Sequence, residues 1–427
     1  MTVAEEAARV RDVAVDDPLA CGVAVAAVIF VPGPVVWGRE GAPGGLSLLE
    51  RQLKQLRKLG VESVSLLVPE HDPDPVVAPV CGPFRIVRVP GSLTDLAAAL
   101  AAAASVLPAE GLATSSDRLV DLRVMRALLR RDATTFASVD GVKSDPVAWV
   151  HTVDVRRHGA ALADYAALLP LAELDAYSPE LRGSVPPYVI TAGSADERRR
   201  AWQVLLDHVQ KRTLDLPGQY FDTPFENFLV RRFAPTNVTP NQITLVTLLV
   251  AGVVAALFLR GWLRVGVVMA LVVGVLDGVD GKLARLKLAT SKLGELEHVG
   301  DFFYENAWYL ALASHLHAAT QRPEFWYAGL LLVALDLADS LLYLVLQRHT
   351  GKMLDELTSF DHRFRAIAGR RNVYVMIFVL GFFSGAPAPA FLFAVVWAGV
   401  TVAVHAVRVI WVLATTPRVT VVSASRR

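Results

Sequence analysis

Two rhythms of apolar and polar residues divide the chain near residue 215. Before it, short β-rich runs alternate with stretches of helical period: 23–31, then 46–59, then 61–68, and later 84–89. Such alternation predicts a mostly parallel sheet covered by helices, hence a soluble α/β domain at 20–194 behind an N-terminal tail at 1–19. Residues 195–213 are polar with a helical period, and Pro217-Gly218 follows, so 195–241 reads as a linker ending in an interfacial helix. That helix is expected at 225–233, where apolar residues mix with Arg231 and Arg232. Beyond residue 240 the rhythm changes to long apolar runs at 243–260, 262–281, 299–318, 325–346, 372–386 and 389–414. Each approaches the length of a bilayer crossing, which predicts an all-α six-helix transmembrane domain at 242–415 and a tail at 416–427.

Charge placement orients these spans. Lys and Arg gather at Arg231, Arg232, Arg285, Lys287 and Lys292 and between Arg348 and Arg371, whereas the opposite loops hold Arg260, Arg264 and Arg322. By the positive-inside rule both termini face the cytoplasm, and the chain is expected in the cytoplasmic membrane. Glu5 and Glu6 stand where a signal peptide would be basic. Composition agrees with a membrane class: 53% of the 427 residues are hydrophobic and 19% charged. A formal net charge of +1 gives no footprint for nucleic acid. Cys21 and Cys81 lack a metal-ligand or redox spacing and read as reduced thiols of a cytosol-facing domain.

The second apolar run ends in Asp277, Asp280, Gly281, Ala284 and Arg285, whose spacing places them along one helical face. Carboxylates at the end of a membrane helix are costly unless paired or bound to a cation, and a hard divalent ion such as Mg2+ or Mn2+ suits them. Gly281 and Ala284 remove bulk from that face, so a ligand or another helix can approach the backbone. The third run opens with Glu297 and Asp301, four residues apart and facing one way. Two acidic pairs on adjacent helices can enclose metal that bridges nucleotide phosphates, and Asp301 is the candidate base for an attacking hydroxyl.

This run, continuing through Gly294, Glu297 and Asp301, resembles the CDP-alcohol phosphotransferase pattern D-x2-D-G-x2-A-R-x8-G-x3-D-x3-D. Thr239-Pro240-Asn241-Gln242-Ile243-Thr244 is similar to the family's Thr-Pro-Asn-x-Ile-Thr stretch at the first span. The resemblance covers about 215–415 and implies six spans, a CDP-alcohol donor, CMP as leaving group and, commonly, a homodimer. It implies metal binding by Asp277, Asp280 and Glu297, with Asp301 joining them as the base. It further implies a nucleotide site at Asp277, Gly281, Ala284, Arg285 and Gly294. The second half departs from the pattern, since strict counting from Gly294 reaches His298 and Phe302. A one-residue shortening restores Glu297 and Asp301, with His298 and Glu305 as alternatives.

Acceptor candidates lie further on. Arg370 and Arg371, preceding the fifth span, are the preferred pair for an acceptor phosphate, with Arg363 and Arg365 nearby. Asp336 and Asp339 within the fourth span face a polar cavity or a basic partner. The soluble half resembles sugar-nucleotide-type nucleotidyltransferases through 24–30, Leu48-Leu49-Glu50-Arg51-Gln52-Leu53 and 60–64, but its loop at 32–41 lacks a G-x-G-x-R run. Arg39, Asp117 and Asp140 are weak substitutes for the family's catalytic groups, so this domain reads as degenerate. The fusion resembles bifunctional enzymes that make CDP-inositol and join it to inositol phosphate. That implies a polyol-phosphate acceptor, with a lipid alcohol left open. The competing readings are a catalytically silent membrane protein that binds CDP-linked ligands or partner proteins, and a cation transporter built on the intramembrane acids.

Overall fold

The computed structural model describes residues 25–32, 45–77, 81–90, 93, 95–139, 147–289 and 293–416, the side chains of 293–299 excepted. Cys21, Arg39, Asp140 and most of the expected nucleotide loop lie outside these residues.

The soluble half is built on strands β1 (Ala26–Phe30), β2 (Ser63–Pro69), β3 (Arg85–Val89) and β4 (Glu110–Ser115), which pair in parallel in the order β3-β2-β1-β4. A short β5 (Arg118–Val120) follows outside this sheet. β6 (Thr135–Ser138), β7 (Val147–His151) and β8 (Ala167–Pro170) extend the main sheet, where β7 runs antiparallel to both β4 and β6. The mostly parallel sheet expected from the alternation is therefore present. In β1 both faces are apolar because both are covered. Ala27 and Ile29 pack with Leu49 and Leu53 of α1 (Leu48–Lys58), whereas Val28 and Phe30 pack with Ala99 and Leu100 of α2 (Leu96–Ala103). Helix α1 starts from a capping box in which Ser47 and Glu50 satisfy each other's backbone N–H groups. α3 (Leu122–Leu128) and α4 (Thr152–His158) fill the remaining flanks, and β9 (Val189–Thr191) pairs antiparallel with β5. α5 (Ala195–Asp207) then leads into a π-helical turn at Gly218–Asp222 and α6 (Thr223–Phe233). Phe225, Phe228, Arg231 and Arg232 are exposed on α6, a surface suited to a membrane interface.

Each of the six apolar runs forms a helix: α7 (Pro240–Leu259), α8 (Leu263–Leu286), α9 (Leu293–Thr320), α10 (Glu324–Thr350), α12 (Arg371–Phe383) and α13 (Pro387–Thr415), with the short α11 (Ser359–Arg365) between α10 and α12. Among the described residues α7, α10 and α13 are long and apolar enough to cross a membrane, and α12 is a shorter apolar helix. The acidic groups on α8 and α9 make those two helices less apolar. Leu245, Leu249 and Val253 on α7 and Val396, Val407 and Ile410 on α13 point outward, the inversion expected where lipid replaces water as solvent. The helices close around Phe258, Trp308, Phe378 and Phe391.

Candidate active site

Four elements converge at one end of the helical half. Thr239 caps α7 through a capping box with Gln242, which fixes where the helix begins and therefore where Thr244 points. Thr244 Oγ1 donates to Asp280 Oδ2 over 2.8 Å, tying the first span to the acidic end of α8. Asp277 sits one turn earlier on α8, where Arg371 Nη2 donates to its Oδ2 at 2.5 Å. The same guanidinium reaches Glu305 Oε1 of α9 at 3.3 Å and the Tyr304 hydroxyl. Arg371 is the first residue of α12, so its charge sits at the positive end of a helix dipole and is held by two carboxylates.

A cavity of about 600 Å³ opens over this arrangement and is lined by Asp277, Gly281, Arg285, Asp301, Glu305 and Arg371 among others. Gly281 leaves room there: a Cβ at this position would stand 3.5 Å from the Arg285 guanidinium. Arg285 Nε donates to Val209 O at 2.8 Å, which fixes its stem beside the cavity. The expected residues Asp277, Gly281, Arg285 and Asp301 are thus brought together. Asp280 is buried against Thr244 immediately behind them. Ala284 lies on the same helix, half-buried. The side chains at Gly294, Glu297 and His298 lie outside the described residues. Arg370 lines the cavity with its guanidinium 4.8 Å from the Tyr343 ring centre, so of the two acceptor candidates it is Arg371 that is engaged by the acidic groups. Asp336 and Asp339 line the cavity too. The first accepts from Asn306 at 3.0 Å, and the second is paired with buried His405 at 2.5 Å. On the soluble side, Asp117 accepts from Ser115 Oγ at the end of β4.

Sequence reasoning missed the acidic groups supplied by the linker. Asp222 and Asp215 share Asn372 Nδ2 at 3.1 and 3.3 Å, and Glu226 pairs with buried Lys282 at 2.7 Å. Burial, then repulsion from Glu226 and Asp215, pushes the Asp222 carboxyl up to about 7. The available signal was Gly274 and Gly278, four residues apart on α8. The linker carboxylates cross this bare strip, and a Cβ on Gly278 would fall 2.0 Å from Glu226 Oε1.

Among the described residues no group of three or more His, Cys, Asp or Glu side chains is already gathered as a metal site. The donor chemistry nevertheless fits a hard divalent ion. Asp277, Asp301 and Glu305 offer carboxylate oxygens to one cavity, and two of them already hold a cationic guanidinium.

Comparison with known proteins decides the family of this half, because residues 237–417 match the model of the CDP-alcohol phosphatidyltransferase family. The membrane half is a CDP-alcohol phosphatidyltransferase domain. With it the chain is a phosphotransferase. Over 398 residues it is 26% identical to a Rubrobacter xylanophilus protein named bifunctional IPC transferase and DIPP synthase, covering 82% of this chain and 86% of the relative. A protein of the same name from Thermococcus kodakarensis is 38% identical over 99 residues, or 23% of this chain and 22% of the relative. Among solved structures, Mycobacterium tuberculosis phosphatidylinositol phosphate synthase with CDP-DAG bound aligns at TM-score 0.34 and 18% identity, covering 48% of this chain and 99% of that one. HddC from Yersinia pseudotuberculosis aligns at TM-score 0.27 and 10% identity, covering 42% and 98%. The family match includes the acidic end of α8, and the alignment with the Rubrobacter relative spans both halves.

Proposed function

We propose that the chain transfers a phosphoryl-alcohol group from a CDP-alcohol to a hydroxyl of a polyol phosphate, such as inositol phosphate, releasing CMP. The carrying observation is that Asp277, Gly281 and Arg285 of α8 line one cavity with Asp301 of α9. Gly281 lets the nucleotide lie against the helix, and Arg285 meets its phosphate charge. Asp301 takes the proton of the acceptor hydroxyl as its oxygen bonds to the alcohol-bearing phosphorus. The bond from that phosphorus to the oxygen bridging it to the α-phosphate breaks, and the electron pair leaves with CMP. Asp277, Asp280, Glu297 and Asp301 would hold Mg2+ or Mn2+, which neutralises phosphate charge when bound. Arg371 keeps Asp277 and Glu305 in place through its two ion pairs.

Arg365 and Arg370 line the same cavity, and Arg182, Gln210 and Lys211 form a polar rim from the soluble half. A rim of this polarity favours a water-soluble phosphorylated acceptor over a lipid alcohol. All six apolar helices cross the cytoplasmic membrane in this reading, with both termini and the cavity on the cytoplasmic side, and the chain works as a homodimer. The soluble domain is a degenerate nucleotidyltransferase. The test is CMP release by purified protein with Mg2+ or Mn2+, using CDP-inositol or CDP-diacylglycerol as donor and inositol phosphate or a lipid alcohol as acceptor. Release that requires inositol phosphate and stops with EDTA is expected. Saturable CDP binding without release from any pair would favour the silent-binder reading instead.

A further inference from the structure

The last turn of α8 presents Arg285 to the cavity, so whatever holds that turn holds the nucleotide site. A helix end leaves backbone carbonyls that must find partners when buried. Here Leu283 O accepts from Lys287 N–H at 2.8 Å, Arg285 O from Leu288 N–H at 3.3 Å and Ala284 O from Ala289 N–H at 2.9 Å. The latter two bonds form a Schellman turn, with Leu288 at φ +52° in the place glycine usually takes. Leu286 O and Lys287 O remain. Both accept from the soluble domain: Arg51 Nη2 donates to Leu286 O at 2.5 Å, and Lys54 Nζ to Lys287 O at 3.3 Å. Arg51 and Lys54 lie three residues apart on α1, facing the same way.

The surroundings argue against a chance contact. Arg51 is 4% exposed, beside a seam in which Leu48 of α1 packs with Val279, Leu283 and Leu286 of α8. Burial works against its charge, and an apolar residue would fill such a seam without that cost. A guanidinium is favoured there by the carbonyls and the negative dipole end it meets. Arg285 is held from the same side, through Val209 O of the segment that follows α5.

We infer that the soluble domain is a structural component of the transferase site, and that Arg51 is a positioning residue that caps α8 and sets Arg285 for the nucleotide. The inference rests on the functional reading above for the identity of the ligand. It gives the degenerate domain a role that needs no nucleotidyl transfer.

The experiment compares the full-length wild type with Arg51→Met, which keeps the apolar stem and removes the donors, and with Arg51→Lys, which keeps one charged donor. CDP binding is measured by calorimetry and the donor KM by CMP release. Arg51→Met is expected to weaken CDP binding and raise the donor KM about tenfold with kcat within a few-fold, the worth of a charged hydrogen bond, and Arg51→Lys to recover most of the loss. Leu100→Ala, in the core on the face of the sheet opposite α1, loosens that domain and is expected to leave both values unchanged. Arg51→Gln, too short to reach Leu286 O, reads the same effect if Arg51→Met does not accumulate. CDP affinity within twofold of wild type in Arg51→Met or Arg51→Gln, or an equal loss in Leu100→Ala, would overturn the inference. If the wild type binds CDP without releasing CMP, the transferase reading fails while the calorimetry still decides the role of Arg51.

Discussion

Replacing Gly278 by alanine tests how the linker grips α8. An added Cβ would stand 2.0 Å from Glu226 Oε1 and 2.2 Å from its Cδ, and the carboxylate must leave. Its departure breaks the 2.7 Å pair with Lys282, whose side chain is 2% exposed, although Asn227 Oδ1 still accepts from the ammonium at 2.7 Å. Breaking a buried pair costs about 3 kcal/mol at the low end, and the retained amide argues for that end. Glycine to alanine in a helix returns up to about 1 kcal/mol, so the net expected loss is about 2 kcal/mol. In a Glu226→Ala background the obstacle is gone, and the same change should be neutral or stabilising by up to about 1 kcal/mol. The double-mutant cycle therefore predicts a coupling of about 3 kcal/mol, read by denaturant unfolding in detergent. Additive effects, or a Gly278→Ala protein as stable as wild type, would refute this account of the linker.

Asp222, raised from its ordinary 3.8 to about 7 by burial and then by Glu226 and Asp215, binds a proton more readily folded than unfolded. Native stability from this group therefore falls as pH rises from about 4 to about 7 and stays low above, and Asp222→Asn should remove that slope and stabilise the protein at pH 8 in pH-dependent melting. His405→Leu leaves the half-buried Asp339 without its 2.5 Å partner and should destabilise by roughly 1 to 3 kcal/mol, whereas adding Asp339→Leu should recover most of it in the same unfolding assay.

Most of the architecture is legible because each half follows a period set by its surroundings. A two-faced sheet demands apolar runs such as 26–30, and a lipid-facing helix demands long ones such as 387–415. The grouping at the end of α8 is legible too, because helical spacing puts Asp277, Gly281 and Arg285 on one face, and they line one cavity. What stays hidden is contact between segments distant in sequence. Nothing local to Arg51 distinguishes a solvated arginine on an amphipathic helix from a cap on Leu286, 235 positions away. Arg371 likewise reads as an acceptor-phosphate ligand or a positive-inside residue, and its pairing with Asp277 and Glu305 emerges only in the fold. Asp215 and Asp222 look like ordinary linker polarity, and only the bare glycines of α8 hint that something crosses there.

The central claim is tested most directly by metal-supported CMP release from wild type and Asp301→Asn at saturating CDP-alcohol and acceptor. The variant should bind CDP as wild type does and lose about 10² to 10⁴ in turnover, the range for removing a general base. Turnover equal to wild type would contradict the assignment of Asp301 and move the base elsewhere in the cavity.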